Sequence, residues 1–254
     1  MNAIRREKAL DIALPTALAL LLLATWHVTS QVFNVPSVIL PAPTDVLAAF
    51  GDTYGELLRN AWTTGGEALQ AFALATVLGV AIAIVMVCCA FAMEAFYPHL
   101  VFFQIIPKVA LAPLFVVWLG FESASRLSYS VFISFFPITL ATMAGLVRAD
   151  ATVLRLARAL TATRWQVLVH VQIPYALPYF FSGWKIAATM SVIGIVVGEF
   201  ISSKEGLGHY ILVAQSRSDT AHIFAAIIVL CLVGLIPYGI AVGCEQIMKK
   251  RWRG

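Results

Sequence analysis

Long stretches without a charged side chain dominate this sequence, and they limit its possible folds more than any other feature. Ile12 to Thr29 carries no Asp, Glu, Lys or Arg, and neither do Ala68 to Met93, Leu127 to Val147 or Ala221 to Cys244. Two further apolar stretches are barely interrupted. Phe96 to Phe121 contains only Lys108, with His99 near its start, and Tyr175 to Ile201 contains Lys185 and Glu199. Each has the length, roughly 17–25 residues, that crosses a bilayer as a helix. Lipid offers no hydrogen-bond partner to a backbone, so segments that span it are helical. The expectation is an all-α polytopic membrane protein with about six transmembrane helices. A cleaved leader ending near Val28 to Ser30 is the alternative for the first stretch, but the later spans favour a retained helix.

Composition supports lipid as the solvent. Of 254 residues, 61% are hydrophobic and 12% charged, whereas a soluble domain carries roughly 25% charged residues. The net charge of +4 could suggest nucleic acid, but the basic residues form no stripe interleaved with aromatics. They gather at the two ends and in one central loop. With the N-terminus inside, eleven lie on the cytoplasmic side: Arg5, Arg6, Lys8, Arg148, Arg155, Arg158, Arg164, Lys249, Lys250, Arg251 and Arg253. Four lie opposite: Arg59, Arg126, Lys204 and Arg217. This bias places both termini in the cytoplasm. Cys88, Cys89, Cys231 and Cys244 lack CxxC spacing and read as small buried apolar residues.

Two segments on the outer side hold local signals. Thr44 can cap a short amphipathic helix from Asp45, and Gly206-Leu207-Gly208 marks a turn before a helix through Ala214. Both helices could lie flat on the outer surface.

The inside loop from Arg148 to Pro174 reads as two short helices. Asp150 can cap the first, which puts Val153, Leu156 and Leu160 on one face. Thr163-Arg164-Trp165-Gln166 has capping-box spacing and starts the second, which Pro174 limits. Ala157, Ala159 and Ala162 keep the pair slim. A groove on another protein or the membrane surface would accept it equally well.

This loop resembles the cytoplasmic signature of ATP-binding-cassette importer permeases: Glu-Ala-Ala, three residues, Gly, nine residues, then Ile-x-Leu-Pro. Here Arg155-Leu156-Ala157, Thr161 and Val171-Gln172-Ile173-Pro174 occupy those places. Arg155, Leu156 and Thr161 depart from the pattern. Leu40-Pro41-Ala42-Pro43, Pro107 to Gly120, Gly198-Glu199, Gly206-Leu207-Gly208 and Phe224-Ala225-Ala226-Ile227 are similar to the branch handling sulfonates, taurine, nitrate and thiamine-precursor pyrimidines. Residues 38 to 250 carry the likeness.

The resemblance implies a type I importer permease fold. Residues 1–37 would be the N-terminal cytoplasmic end and first helix, and 38–254 a permease domain with its coupling loop at about 148–174. It also implies a multi-pass protein of the cell inner membrane. The partners implied are an ATPase subunit that binds ATP and Mg, a periplasmic or lipid-anchored solute-binding protein, and a second permease copy. Membrane lipid would surround the spans, and no nucleic acid is involved. Ala157, Arg158, Ala159, Leu160, Thr161, Ala162, Thr163, Arg164 and Pro174 would contact the ATPase. Thr161 replaces a glycine, and a β-branched residue resists positive φ, so a different turn is expected there. The chain has no GxxxxGK[ST] loop of its own.

Lys108 and Glu199 are costly within a membrane and are functional candidates for that reason. With Gln104 they are expected to border a translocation path, Lys108 beside a kink at Pro107. A stand-alone secondary transporter is the alternative function, but no internal repeat supports it. A membrane enzyme would need a convergent catalytic set, and His27, His99, His170, His209 and His222 are scattered.

Overall fold

A computed structural model describes residues 2–33 and 35–252. Ten α-helices follow one another, and no strand occurs among the described residues. They are α1 (Asn2–Val32), α2 (Pro43–Cys88), α3 (Ala90–Ile105), α4 (Ala112–Leu119), α5 (Ser123–Val147), α6 (Ala151–Ala159), α7 (Arg164–Val167), α8 (Ile173–Ser202), α9 (Leu207–Ser216) and α10 (Thr220–Trp252). Five segments are long and apolar enough to span a membrane, and a sixth if the bent pair α3 and α4 forms one span. The side chains of Arg5, Arg6 and Lys8, and all of Arg253, lie outside the described residues.

The chain divides into two units. The first holds residues up to Leu58 together with Tyr210–Val229. Within it the Trp26 indole N–H donates to Pro41 O at 3.0 Å, and the Trp26 and Phe224 rings lie 5.4 Å apart. The Tyr210 hydroxyl donates to Thr53 Oγ1 at 3.0 Å. Thr53 is itself non-helical, at φ −118 and ψ 17, and marks a kink. The helix expected from Asp45 therefore begins at Pro43 and runs on through that kink, because no proline interrupts it. Asp45 rather than Thr44 secures its start, accepting the Ala42 N–H at 3.1 Å.

The second unit, Arg59–His209 with Leu230 onward, is built around α5 and α8, which pack along each other extensively. Lipid supplies little hydrophobic drive between helices, so small residues that allow close approach decide such pairings. On α8, Gly183, Ala187, Ser191, Gly194 and Gly198 recur at helical spacing and all are buried. A Cβ at Gly194 would lie 2.6 Å from Ser130 Cα, and one at Gly183 would lie 2.5 Å from Pro137 O. The Ser130 hydroxyl then reaches Ser191 O at 2.7 Å. Phe72, Ala75, Ile138, Ala187 and Ala188 fill the adjoining core.

Two expectations change. The four cysteines are exposed on the isolated chain rather than buried. The third span is no kinked rod: α3 and α4 meet at 96° across Pro107 and a 3-10 turn, Lys108–Leu111. Pro107 lacks an N–H, and Ile106 before it is extended, as proline's steric demand requires.

Candidate functional site

The 148–174 loop forms from its own local signals. The Thr152 N–H donates to Asp150 Oδ1 at 2.6 Å, capping α6 as expected. That backbone N–H holds the Asp150 carboxyl below its ordinary range. Thr163 and Gln166 complete the capping box of α7, with the Thr163 N–H donating to Gln166 Oε1 at 2.8 Å and the Gln166 N–H to Thr163 Oγ1 at 3.3 Å.

Between the two helices the structure differs from the expectation for Thr161. Its φ is 56, the left-handed conformation of a helix-terminating glycine. The Thr161 N–H donates to Arg158 O and the Ala162 N–H to Ala157 O, both at 3.0 Å. This is the paired bonding of a Schellman motif. The turn is the glycine turn, made with threonine. The two bonds and the following cap offset a conformational cost of about 1–2 kcal/mol.

Pro174 also behaves differently. Instead of ending a helix, it follows a π-helical turn, Leu168–Gln172, that joins α7 to α8 continuously. The Ile173 N–H reaches back to Leu168 O. The wider turn absorbs the clash a proline would cause in a regular α-helix.

The resulting corner displays apolar side chains: Leu156 is 59% exposed, Leu160 71% and Trp165 68%. Ala157, Leu160, Ala162, Gln166, Val167 and His170 line a shallow, almost wholly apolar cleft of about 330 Å³ beside them. Arg158, Ala159, Thr161, Thr163 and Arg164 are exposed, while Ala157, Ala162 and Pro174 are partly buried. Arg155 is exposed as well, and residues 151–167 contain no acidic residue.

Gln104 and Lys108 come together where α3 breaks. Lys108 Nζ lies 3.5 Å from Gln104 O and 5.5 Å from the centre of the Phe136 ring. The Gln104 side chain is exposed and Lys108 half-buried. Tyr129 fastens the bend by donating its hydroxyl to Lys108 O at 3.3 Å.

Glu199 is elsewhere and does not face an open surface. It is 1% exposed. Its Oε1 accepts the Thr64 hydroxyl at 2.7 Å and its Oε2 the Gly208 N–H at 2.6 Å. Thr64 Oγ1 in turn accepts the Leu207 N–H at 2.9 Å, and Asn60 Oδ1 accepts the Gly206 N–H at 2.8 Å. Gly206 has φ +101, and a Cβ there would collide with the Glu199 carboxylate. Three consecutive backbone N–H groups are thus clamped to α2 and to the end of α8.

Two ion pairs were not legible in the sequence. Arg126, counted above as an outer-side charge, is 6% exposed within α5 and makes a two-pronged pair with Glu67, at 2.5 and 3.0 Å. Lys185 pairs with Glu245 at 2.9 Å. The partners lie 59 and 60 positions apart, and no local spacing links them. The small-residue stripe of α8 was visible in the sequence and could have indicated its packing face.

Most of the chain is similar to known proteins. Residues 75–250 match the family described as binding-protein-dependent transport system inner membrane component. The formylaminopyrimidine transport permease protein ThiX of Halalkalibacterium halodurans is 32% identical, over 94% of this chain and 95% of its own. The riboflavin transport system permease protein RibX of Chloroflexus aurantiacus is 32% identical, over 99% and 94%. A putative aliphatic sulfonates transport permease protein, SsuC of Bacillus subtilis, is 29% identical, over 84% and 78%. In fold, a chain of the MetNI methionine ABC transporter in an inward-facing conformation superposes with TM-score 0.61 at 17% identity, covering 76% of this chain and 97% of that one.

Proposed function

This chain belongs to the family of binding-protein-dependent transport system inner membrane components, as an ATP-binding-cassette importer permease, and we propose that it forms the path for a small solute, driven by a separate ATPase seated on the α6–α7 corner. The exposed corner carries this reading. Leu156, Leu160 and Trp165 are too apolar to remain in water, and the caps of Asp150 and Thr163 hold their backbone rigid. A rigid apolar knob transmits a partner's movement, whereas a flexible loop would absorb it. The continuous helix from Arg164 to Ser202 then carries that movement into the spans.

ATP and Mg belong to the partner. A solute-binding protein delivers cargo from outside, and a second copy of the permease completes the path. Both termini and the α6–α7 corner share the cytoplasmic face. Access alternates as the spans shift between two packings. Gln104 and Lys108 border the path, and Glu199 supports it by shaping the turn beside it. The solute is a small nitrogen heterocycle or a sulfonate-like anion. Two relatives aligned over more than nine-tenths of this chain are named for formylaminopyrimidine and riboflavin, and a shorter match for sulfonates.

The test is Ala159→Asp in the assembled transporter. A buried, unpaired carboxylate at the contact should abolish ATP hydrolysis stimulated by the loaded binding protein, and transport with it. Full activity in a correctly assembled variant would overturn the assignment.

A further inference from the structure

Arg126 and Lys185 lie within apolar helices and Lys108 at the bend between two of them, and the first two are neutralised there. Arg126 has Glu67 and Lys185 has Glu245. Lys108 differs, because among the described residues no carboxylate lies within 4.0 Å of its ammonium. Its neighbours are one backbone carbonyl at the limit of hydrogen bonding and the face of Phe136. Both are weak partners for a full charge among apolar helices of span length, where ions normally pair.

The surroundings are built rather than loose. The chain turns through 96° immediately before Lys108, and Tyr129 holds the Lys108 carbonyl, so the backbone carrying the ammonium is fixed. Phe136 beneath it is 1% exposed, and its ring meets Phe132 edge-on at 5.3 Å. Phe132 is in turn packed against Phe115 at 5.5 Å. An aromatic floor therefore carries one uncompensated cation, and the amide of Gln104 is exposed on the same bend.

We propose that Lys108, with Gln104 beside it, is an anion-recognition point in the path, so that the solute crosses with a negatively charged group facing the α3–α4 bend. This rests on the importer reading above and narrows its substrate class to small organic anions. The site is suited to brief contact: a single ammonium attracts an anion less tightly than a two-cation clamp would, so the anion can leave.

The experiment uses the assembled transporter in proteoliposomes, with Cys88, Cys89, Cys231 and Cys244 changed to alanine and Gln104→Cys introduced. Its thiol is modified by anionic sulfonatoethyl methanethiosulfonate or by the cationic trimethylammonium reagent. With Lys108 present the anionic reagent should be favoured, and Lys108→Gln should lower the anionic-to-cationic rate ratio roughly tenfold or more. Lys108→Arg should preserve it. An unchanged ratio, or a thiol that neither reagent reaches, overturns the proposal. If Gln104→Cys fails to assemble, Val109→Cys on the same exposed turn carries the same comparison. Binding-protein-stimulated ATP hydrolysis, measured alongside in the Ala159→Asp variant, reports on the importer reading separately. A failed ratio with loop-dependent hydrolysis intact removes only the anion site.

Discussion

The Thr64 hydroxyl donates to Glu199 across 2.7 Å, although 135 residues separate them. Through that bond α2 and α8 together hold the Gly206-Leu207-Gly208 turn, because Thr64 also accepts the Leu207 N–H. Removing the hydroxyl strands both a carboxylate oxygen and a backbone donor. Thr64→Val should therefore lower stability by about 1–3 kcal/mol, the usual cost of buried groups left without partners. Thermal unfolding of the detergent-solubilised protein checks this, and hydrogen exchange should localise the loss to residues 206–208.

Gly206 and Gly120 both have positive φ, but they should respond differently to alanine. At Gly120 nothing lies within 4 Å of the added methyl group, and only backbone strain of about 1–3 kcal/mol is expected. At Gly206 the methyl group also displaces the Glu199 carboxylate. Gly206→Ala should be clearly the more damaging of the two in the same unfolding assay.

Thr161 occupies a glycine's conformation at a cost of about 1–2 kcal/mol. Thr161→Gly should recover about 1 kcal/mol of local stability. The readout is slower hydrogen exchange at the Ala162 amide, whose bond to Ala157 O closes the turn. Faster exchange would show that the threonine side chain contributes more than its backbone costs.

Asp150 provides a pH dependence of defined sign. The Thr152 N–H lowers its pKa in the folded loop. Its contribution is therefore fully present above the ordinary carboxylate range and is lost as pH falls through the lowered value. Protection of the first α6 amides should hold from neutral pH to about 5 and weaken toward pH 3. Asp150→Asn, which caps without titrating, should flatten that profile.

Gly194→Val tests the α5–α8 contact. The added side chain meets Ser130 backbone, which cannot move aside as a flexible side chain would. A loss of about 1–3 kcal/mol or more is expected from overpacking. Gly234→Val on α10, where nothing lies within 4 Å, serves as the tolerated control.

The sequence by itself determined what depends on neighbouring residues and on solvent. Charge-free runs specified helices, since lipid leaves a backbone no other way to satisfy its hydrogen bonds. Asp150, and Thr163 with Gln166, specified where α6 and α7 begin, because a cap acts within three residues of itself. Only the tertiary structure decided the rest. The left-handed turn at Thr161 goes against the residue's own preference, and two backbone bonds with a following cap hold it there. Pro174 passes through a continuous helix because a π turn precedes it. Glu199 is buried and held at the end of α8 because Thr64 and Gly208 meet it in space. Arg126 and Lys185 are neutralised by carboxylates about sixty positions away, while Lys108 has none among the described residues. Which charge finds a partner depends on how helices pack against one another, and that packing is set by many small residues acting together over long separations, a relation that no local pattern encodes.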